Sequence, residues 1–312
     1  MIVSKGCVTM IDFHRAELSH KQPYEQILFS CPPRGCEYSF SNLYLWGKQN
    51  IAFLHGCVGF FSHFSGHTVY PFPIGSGDRK AVIEAYLEDA RQRDIPCRIT
   101  GMTDQDREEL ESWFPGVFTF RTDRDSFDYV YDIDNLADLR GRKYQKKRNH
   151  FNRFQASHPD SRIEPLTRDT VPAAAQIAAH WYTLREQNWT SGSYMLEKRA
   201  VRRCLRDLEA LEMEGIVLFV GDDPIAMAIG SRLSQDTFDI HFEKAREDVD
   251  GAYAAINCEF ARYLRLKYPE IRFLDREDDL GLEGLRKAKL SYLPHHMTQK
   301  HWAYLTEDLY ED

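Results

Sequence analysis

Two stretches of this sequence carry side chains that could do acid–base chemistry. In residues 237–242, Phe238, Ile240 and Phe242 alternate with Asp239, His241 and then Glu243. A strand places each set on one face. A histidine and a glutamate two residues apart on that face, His241 and Glu243, could act as general base and orienting carboxylate. A solvated face of an antiparallel strand gives the same alternation. The second stretch is Phe273-Leu274-Asp275-Arg276-Glu277-Asp278-Asp279-Leu280-Gly281. Its acids come straight off a predicted strand, and ligands in α/β sheets gather at the carboxyl ends of strands. Asp275, Glu277 and Asp278 could bind an amine there, and Lys287 and Lys289, further on, could bind an anion. An acidic start and a basic end complementing a helix dipole read equally well from the pattern.

A third feature is basic. Between Leu139 and Pro159 no acid interrupts Arg140, Arg142, Lys143, Lys146, Lys147, Arg148 and Arg153. The periodicity predicts one long helix over 135–156. Like charges at i,i+4, such as Lys143 and Lys147, cost ~0.2–0.5 kcal/mol each in a free helix. On the helical wheel Arg140, Lys143 and Lys147 share an arc with Leu136, Leu139, Tyr144, Phe151 and Phe154. Cations on an inward stripe suit a cleft holding a phosphate, a carboxylate or an RNA backbone. Lysines that bury only their stems, or that pair with acids elsewhere, compete with that reading residue by residue.

The elements that must position these groups form two α/β halves. In the first, a short helix near 24–29 precedes strands at 50–54, 58–62 and 68–72. Gly75-Ser76-Gly77-Asp78 reads as a turn and helix cap before a helix over 79–93. It lacks the Lys-Ser/Thr of a phosphate-binding P-loop. Strands at 97–102, 117–121 and 127–131 and a helix at 103–113 follow. In the second half a strand at 162–165 and helices at 170–187 and 193–213 lead to a hairpin, 216–220 and 225–233. Then come the strand at 237–242, a helix at 252–266, a strand at 271–274 and a helix at 284–290. Phe127-Asp-Tyr-Val-Tyr-Asp132 faintly echoes Phe238-Asp-Ile-His-Phe-Glu243, which suggests two similar halves. The expected domains are 1–134 and 135–312, the second opening on the basic helix.

With 312 residues and a net charge of −8, the chain is no generic nucleic-acid or membrane binder. A polyanion must be met by a local basic patch. The seven cysteines are scattered and form no CxxC pair, which fits reduced thiols in a cytoplasm. The first residues do not read as a signal peptide, and no run approaches the ~20 apolar residues of a membrane span. No metal site is expected: His63 and His67 are separated by Gly66, His295 and His296 are adjacent, and there is no H-E-x-x-H or cysteine cluster. Trp181, Tyr182 and Trp189 read as core. Tyr38, Asn42, Tyr44, Tyr144, Asn257, Arg276 and Tyr292 are candidates to line a cleft.

Three segments together resemble a known family. They are Glu37-Tyr-Ser-Phe-Ser-Asn-Leu-Tyr-Leu-Trp46, Gly141-Arg-Lys-Tyr-Gln-Lys-Lys-Arg-Asn-His-Phe151 and Arg276-Glu-Asp-Asp-Leu-Gly-Leu-Glu-Gly-Leu-Arg-Lys-Ala-Lys-Leu-Ser-Tyr292. The chain is similar over nearly its whole length to a bacterial family grouped with the C-terminal domain of phosphatidylglycerol lysyltransferase. The resemblance implies two tandem GNAT-like (acyl-CoA N-acyltransferase) domains in mixed α/β sheets. The Fem-type peptidoglycan aminoacyltransferases are similar in layout, with a donor, often aminoacyl-tRNA, meeting an acceptor in the second half. Two departures matter. Where an ordinary GNAT enzyme holds the coenzyme A pyrophosphate on a [QR]-x-x-G-x-[GA] loop, this chain has Arg246-Glu-Asp-Val-Asp-Gly-Ala252. No glycine stands three after Arg246, and its three acids repel pyrophosphate where backbone N–H groups should receive it. The lysyltransferases also carry a membrane-embedded N-terminal part missing from this sequence, which argues against a lipid acceptor.

The resulting expectation is an acyl or aminoacyl transferase with no tightly bound cofactor and aminoacyl-tRNA or acyl-CoA as donor substrate. The acceptor, a small molecule, would sit near Asp275, Glu277 and Asp278. Donor phosphates would lie along Arg140, Lys143, Lys147, Lys287 and Lys289, and His241 or Glu243 would take the acceptor proton. The competing expectation is a non-catalytic GNAT-like module binding an anionic metabolite or RNA, since a fold does not fix a function.

Overall fold

The computed structural model describes residues 10–64, 66–185 and 192–306. Trp189, expected in the core, lies outside them. The chain divides into two units, one of 1–127 with 298–312 and one of 128–297.

The first unit runs β1 (His14–Arg15), α1 (Lys21–Leu28), α2 (Phe40–Trp46), β2 (Gln49–Leu54), β3 (Cys57–Phe64), β4 (His67–Pro71), α3 (Arg79–Arg93), β5 (Arg98–Met102), α4 (Asp104–Trp113) and β6 (Phe118–Thr122). A final strand, His301–Leu305, slots between β5 and β6, antiparallel to both. Tyr70, Phe72, Val82, Ile83, Tyr86 and Leu110 form the core. The glycine-rich 75–78 segment caps a helix as expected: the Asp78 side chain accepts from the Ala81 N–H at 2.9 Å. A Cβ on Gly77 would stand 2.1 Å from the His55 carbonyl oxygen, so close backbone approach fixes that glycine.

The second unit opens on β7 (Asp128–Asp132) and continues through α5 (Ile133–Asp138), α6 (Gln145–Ser157), β8 (Ser161–Pro165), α7 (Val171–Arg185), α8 (Gly192–Arg206), β9 (Glu214–Val220), β10 (Asp223–Arg232), β11 (Thr237–Ala245), α9 (Ala252–Lys267), β12 (Phe273–Asp275), α10 (Glu283–Leu290) and β13 (His296–Thr298). The sheet order is β13-β7-β12-β11-β10-β9-β8. From β8 to β11 it is an antiparallel meander, β12 is parallel to β11, and β7 is antiparallel to β12. α9 turns Ala252, Ala255, Ile256, Cys258, Ala261 and Leu264 inward. Small residues on that face let the helix approach its neighbours closely, and the Arg262 Nε and Cys258 Sγ bond the Ala137 carbonyl on α5.

Three expectations change. The strand near 127–131 belongs to the second sheet and the final strand to the first, so the division falls after residue 127 and the tail returns. The helix expected to reach 213 stops at Arg206. The long basic helix is broken: α5 ends at Leu139 with φ +50°, Gly141 sits at φ +82°, one 3₁₀ turn follows at Arg142–Tyr144, and α6 starts afresh. Gly141 pays no Cβ penalty in that conformation. Arg148 pins the break by donating to the Gly141 carbonyl at 3.1 Å.

The feature that makes a site is a divergence. β11 pairs with β12 only from Thr237 to Asp239, against Phe273 to Asp275. β11 then runs on to Ala245 while the other chain turns away. No helix among the described residues is long and apolar enough to cross a membrane.

Candidate functional site

Two groups of side chains meet where the parallel strands part. The β10–β11 hairpin sets Ser231 opposite Asp239, with His241 two residues on along the same face. Ser231 Oγ lies 2.8 Å from His241 Nε2. His241 Nδ1 lies 3.4 Å from both Asp239 Oδ2 and Glu277 Oε1. The His241 and Asp239 side chains are fully buried, and Glu277 keeps 24% of its side-chain surface. Asp239 also faces Asp275 in the parallel register, and Asp275 Oδ1 accepts the Glu277 N–H at 2.7 Å.

The second group starts at Glu243, which was expected to share a face with His241; a β-bulge at His241 shifts the register and turns Glu243 to the other face of the strand. Its Oε1 accepts from Arg276 Nη2 at 2.8 Å and its Oε2 from Asn257 Nδ2 at 3.1 Å. The Arg276 guanidinium lies 5.7 Å from the Tyr131 ring centroid and 5.1 Å from that of Tyr292. Lys147 Nζ lies 3.8 Å from the Tyr292 centroid, a cation–π contact. Burial chiefly, together with the Arg276 charge, pushes the Lys147 ammonium down to about 8, against the opposing pull of Glu243. Burial pushes the Tyr292 phenol up to about 12. Two cations thus share one carboxylate. Buried Arg276 Nη1 and Asn257 Oδ1 have no hydrogen-bond partner among the described residues. Buried polar groups are nearly always bonded, so this corner suits a ligand that brings an anionic or carbonyl oxygen to Nη1 and an N–H to Oδ1.

Protonated Lys147 favours such an anion, so affinity should fall as pH rises through about 8, by at most ~tenfold per unit. Phosphate titrations at pH 7 and pH 9 measure this. Lys147→Met should flatten the dependence, and an unchanged slope in that variant would remove Lys147 from the site.

A rigid loop holds Arg276 and Glu277 in place. Lys289 Nζ donates to the carbonyls of Arg276, Glu277 and Asp278 in turn. Buried Asp279 accepts from Arg286 Nε at 2.8 Å and Nη2 at 3.0 Å, from the Tyr129 hydroxyl and from the Gly281 N–H. Arg286 chiefly, with the Tyr129 hydroxyl and the Gly281 amide, holds the Asp279 carboxyl well below the usual range. Glu277 and Leu280 take left-handed backbone, φ +59° and +52°, which costs non-glycine residues about 1–3 kcal/mol each unless the surroundings impose it.

The structure brings together His241, Glu243, Lys147, Asn257, Asp275, Arg276, Glu277 and Tyr292 from among the expected residues. It moves others. Lys289 is half-buried and turns its ammonium onto the loop carbonyls instead of toward a donor. Lys287 is exposed and pairs with Glu283 one turn back. Arg140 is exposed beside Asp138, and Lys143 is exposed beside the Tyr144 ring. The helix break turns both away from the arc they were to share with Lys147. Asp278 caps the Leu280 N–H at 3.2 Å. Tyr144 is core. Tyr38, Asn42 and Tyr44 lie in the first unit. There the Tyr38 hydroxyl donates to the Phe72 and Gly101 carbonyls. Asn42 bonds the Cys36 carbonyl and the Trp46 indole, and Tyr44 stacks on Phe40. Sequence reasoning did not single out Ser231, Tyr131, Tyr129, Asp279 or Arg286. Asp279 and Arg286 lay in flagged runs and Tyr129 and Tyr131 in the faint echo at 127–132, while Ser231 is a hairpin residue with no signal of its own.

Two mixed sheets, each with covering helices, and a site at diverging parallel strands define a mixed α/β protein with a GNAT-like fold. The chain belongs to the family of the phosphatidylglycerol lysyltransferase C-terminal domain, whose sequence pattern matches residues 30–304. A conserved protein of unknown function from Bacteroides thetaiotaomicron is 35% identical, with a TM-score of 0.89 over 95% of this chain and 100% of that one. The L-PGS structure from Bacillus licheniformis shares the fold at 13% identity, with a TM-score of 0.66 over 94% of this chain and 93% of that one. An uncharacterized protein of Mycoplasmoides gallisepticum is 24% identical over 177 residues, 56% of this chain. The chain spans about half of that relative's length, 55%.

Proposed function

We propose that this chain is an aminoacyl transferase that moves an aminoacyl group from tRNA to an amine or hydroxyl of a small acceptor. The observation that carries the reading is the cationic corner on Tyr292: Lys147 Nζ, and Arg276 Nη1 buried without a partner among the described residues. Membership of a family named for lysyl transfer supports it.

The acceptor N–H or O–H attacks the ester carbonyl carbon, a new C–N or C–O bond forms, and the bond to the tRNA ribose oxygen breaks. Arg276 and Lys147 face the oxygen that becomes negative, where donors act most strongly in a site that excludes water. Asn257 Oδ1 and Glu243 receive the donor's free ammonium. The acceptor's proton passes to the His241 cluster and from there to the departing ribose hydroxyl. The ester is already activated, so positioning and a proton acceptor suffice.

Acetyl-CoA is the weaker donor candidate. At the place of the usual pyrophosphate loop, Arg246 is turned onto Asp223 and Asp248, and Asp250 pairs with Arg153. Anions there meet ion pairs that are already closed.

The test is titration with bulk tRNA, acetyl-CoA and charged aminoacyl-tRNA across salt concentrations, followed by transfer to a panel of amines. The expected result is tRNA binding that weakens steeply with salt and is reduced in Lys147→Ala, with label appearing on an acceptor. Binding of acetyl-CoA alone makes this an ordinary acyltransferase. Binding of tRNA or a small anion without any transfer makes it a binding module.

A further inference from the structure

The geometry points to a divalent-cation site at Asp239, His241 and Glu277, a first-row ion such as Zn²⁺ or Mn²⁺ being the chemical class it fits. One ligand atom from each residue falls within 4.8 Å of the others.

The distances suit a shared ion, and the His241 Nδ1–Glu277 Oε1 contact is otherwise only a long hydrogen bond. His241 Nδ1 stands 3.4 Å from each carboxylate oxygen. A charge-assisted N–H···O bond would close to about 2.7–2.9 Å. Bonds of ~2.0–2.1 Å around a tetrahedral ion put neighbouring ligand atoms ~3.4 Å apart. Two carboxylates at that spacing from one imidazole nitrogen match two edges of such a tetrahedron.

The surrounding bonds orient the ligands as metal sites require. A ligating histidine fixes its ring through its other nitrogen, and His241 Nε2 lies 2.8 Å from Ser231 Oγ. That contact leaves Nδ1 as the ligating atom. Glu277 is aimed by a left-handed backbone, φ +59°, which the Asp275 carboxylate and Lys289 clamp from two sides. An exposed cluster of acids has none of this. One imidazole and two carboxylates suit a borderline to hard divalent ion. Three protein ligands leave a coordination position for water or a substrate atom, and a bound ion lowers the pKa of its water towards ~7. Such a water is a proton acceptor.

The inference stands apart from the transferase reading, because binding alone tests it. Full-length protein stripped with a chelator is titrated with Zn²⁺ and with Mn²⁺ by calorimetry, and its metal content is measured after dialysis. We expect one equivalent of either ion to bind and to raise the melting temperature. Glu277→Gln, which keeps the side chain's shape at a partly exposed position, should lose affinity at least ~tenfold, and Ser231→Ala should weaken it ~10–100-fold. Circular dichroism checks that both variants fold. A His295→Ala/His296→Ala variant removes the exposed imidazole pair, whose Nδ1 atoms lie 2.9 Å apart, and should bind as the wild type does. The proposal is overturned if the wild-type protein binds no stoichiometric ion. It is overturned equally if Glu277→Gln and Ser231→Ala bind unchanged, or if only the surface-pair variant loses binding.

Discussion

Replacing Arg276 with methionine is expected to lower transfer roughly 10²–10³-fold in kcat, the loss that follows removal of one preorganised donor from a developing oxyanion. The guanidinium reaches the site between the rings of Tyr131 and Tyr292, one nitrogen on Glu243 and the other buried with no partner among the described residues. Methionine keeps the packing on both rings and removes both donors. It also leaves Glu243 with Asn257 and Lys147 as its remaining company, so the single variant should lose stability as well. Glu243→Gln combined with Arg276→Met removes the stranded charge and should recover that stability without recovering transfer. Arg276→Lys should rescue little, because an ammonium cannot span Glu243 and the open corner together. Steady-state kinetics on the three variants, with melting curves alongside, separate the two effects. A kcat within threefold of wild type in Arg276→Met would remove the guanidinium from the chemistry.

Arg286→Ala should destabilise the protein by about 3 kcal/mol, the low end of the cost of stripping one partner from a buried ion pair. Asp279 is wholly buried, while Arg286 keeps 32% of its side-chain surface in water, which places the value at that end. For a unit of this size the melting temperature falls by roughly 6–12 °C. The pH sense follows from the depressed Asp279 carboxyl. Its stabilisation is complete above the unfolded value, ~3.9, and drains away as pH falls towards the folded value. The gap between wild type and Arg286→Ala should therefore be full at pH 7 and narrower at pH 3. A constant gap would show that Arg286 acts through packing alone. Because the same loop carries Arg276 and Glu277, ligand binding should weaken with it.

The alternation of residues 238–243 was enough to put Asp239 and His241 on one strand face, but not to foresee the bulge at His241 that turns Glu243 to the other; the acidic run after 274 was enough to mark a strand exit. Both are local patterns with the period of the element that carries them. What pairs them was not legible: Glu277 lies 36 residues beyond His241, and only the short parallel ladder of β11 and β12 brings them together. The basic segment failed for a different reason. A wheel assumes one continuous helix, and the left-handed residues at Leu139 and Gly141 reset its phase, so Lys147 faces in while Arg140 and Lys143 face out. Gly141 was visible in the sequence, but tolerated glycines and helix-ending ones look alike. Lys289 shows the limit for charges, since a sequence gives the ammonium but not the three carbonyls that absorb it. The placing of β7 in the second sheet and of the last strand in the first depends on pairings more than a hundred residues apart, beyond any local pattern.

That last strand has a consequence for biosynthesis. His301–Leu305 separates β5 from β6, yet it leaves the ribosome after every residue of the second unit. The second unit, 128–297, can close its sheet while the first still has a vacant slot with unpaired N–H and C=O groups on both sides. Domains usually complete themselves from the N-terminal end during synthesis. Here the order is reversed, and the nascent chain must keep two strand edges from pairing elsewhere until residues 301–305 arrive. A stop codon shortly after residue 297 would accordingly spare the candidate site's own sheet and injure the one made first.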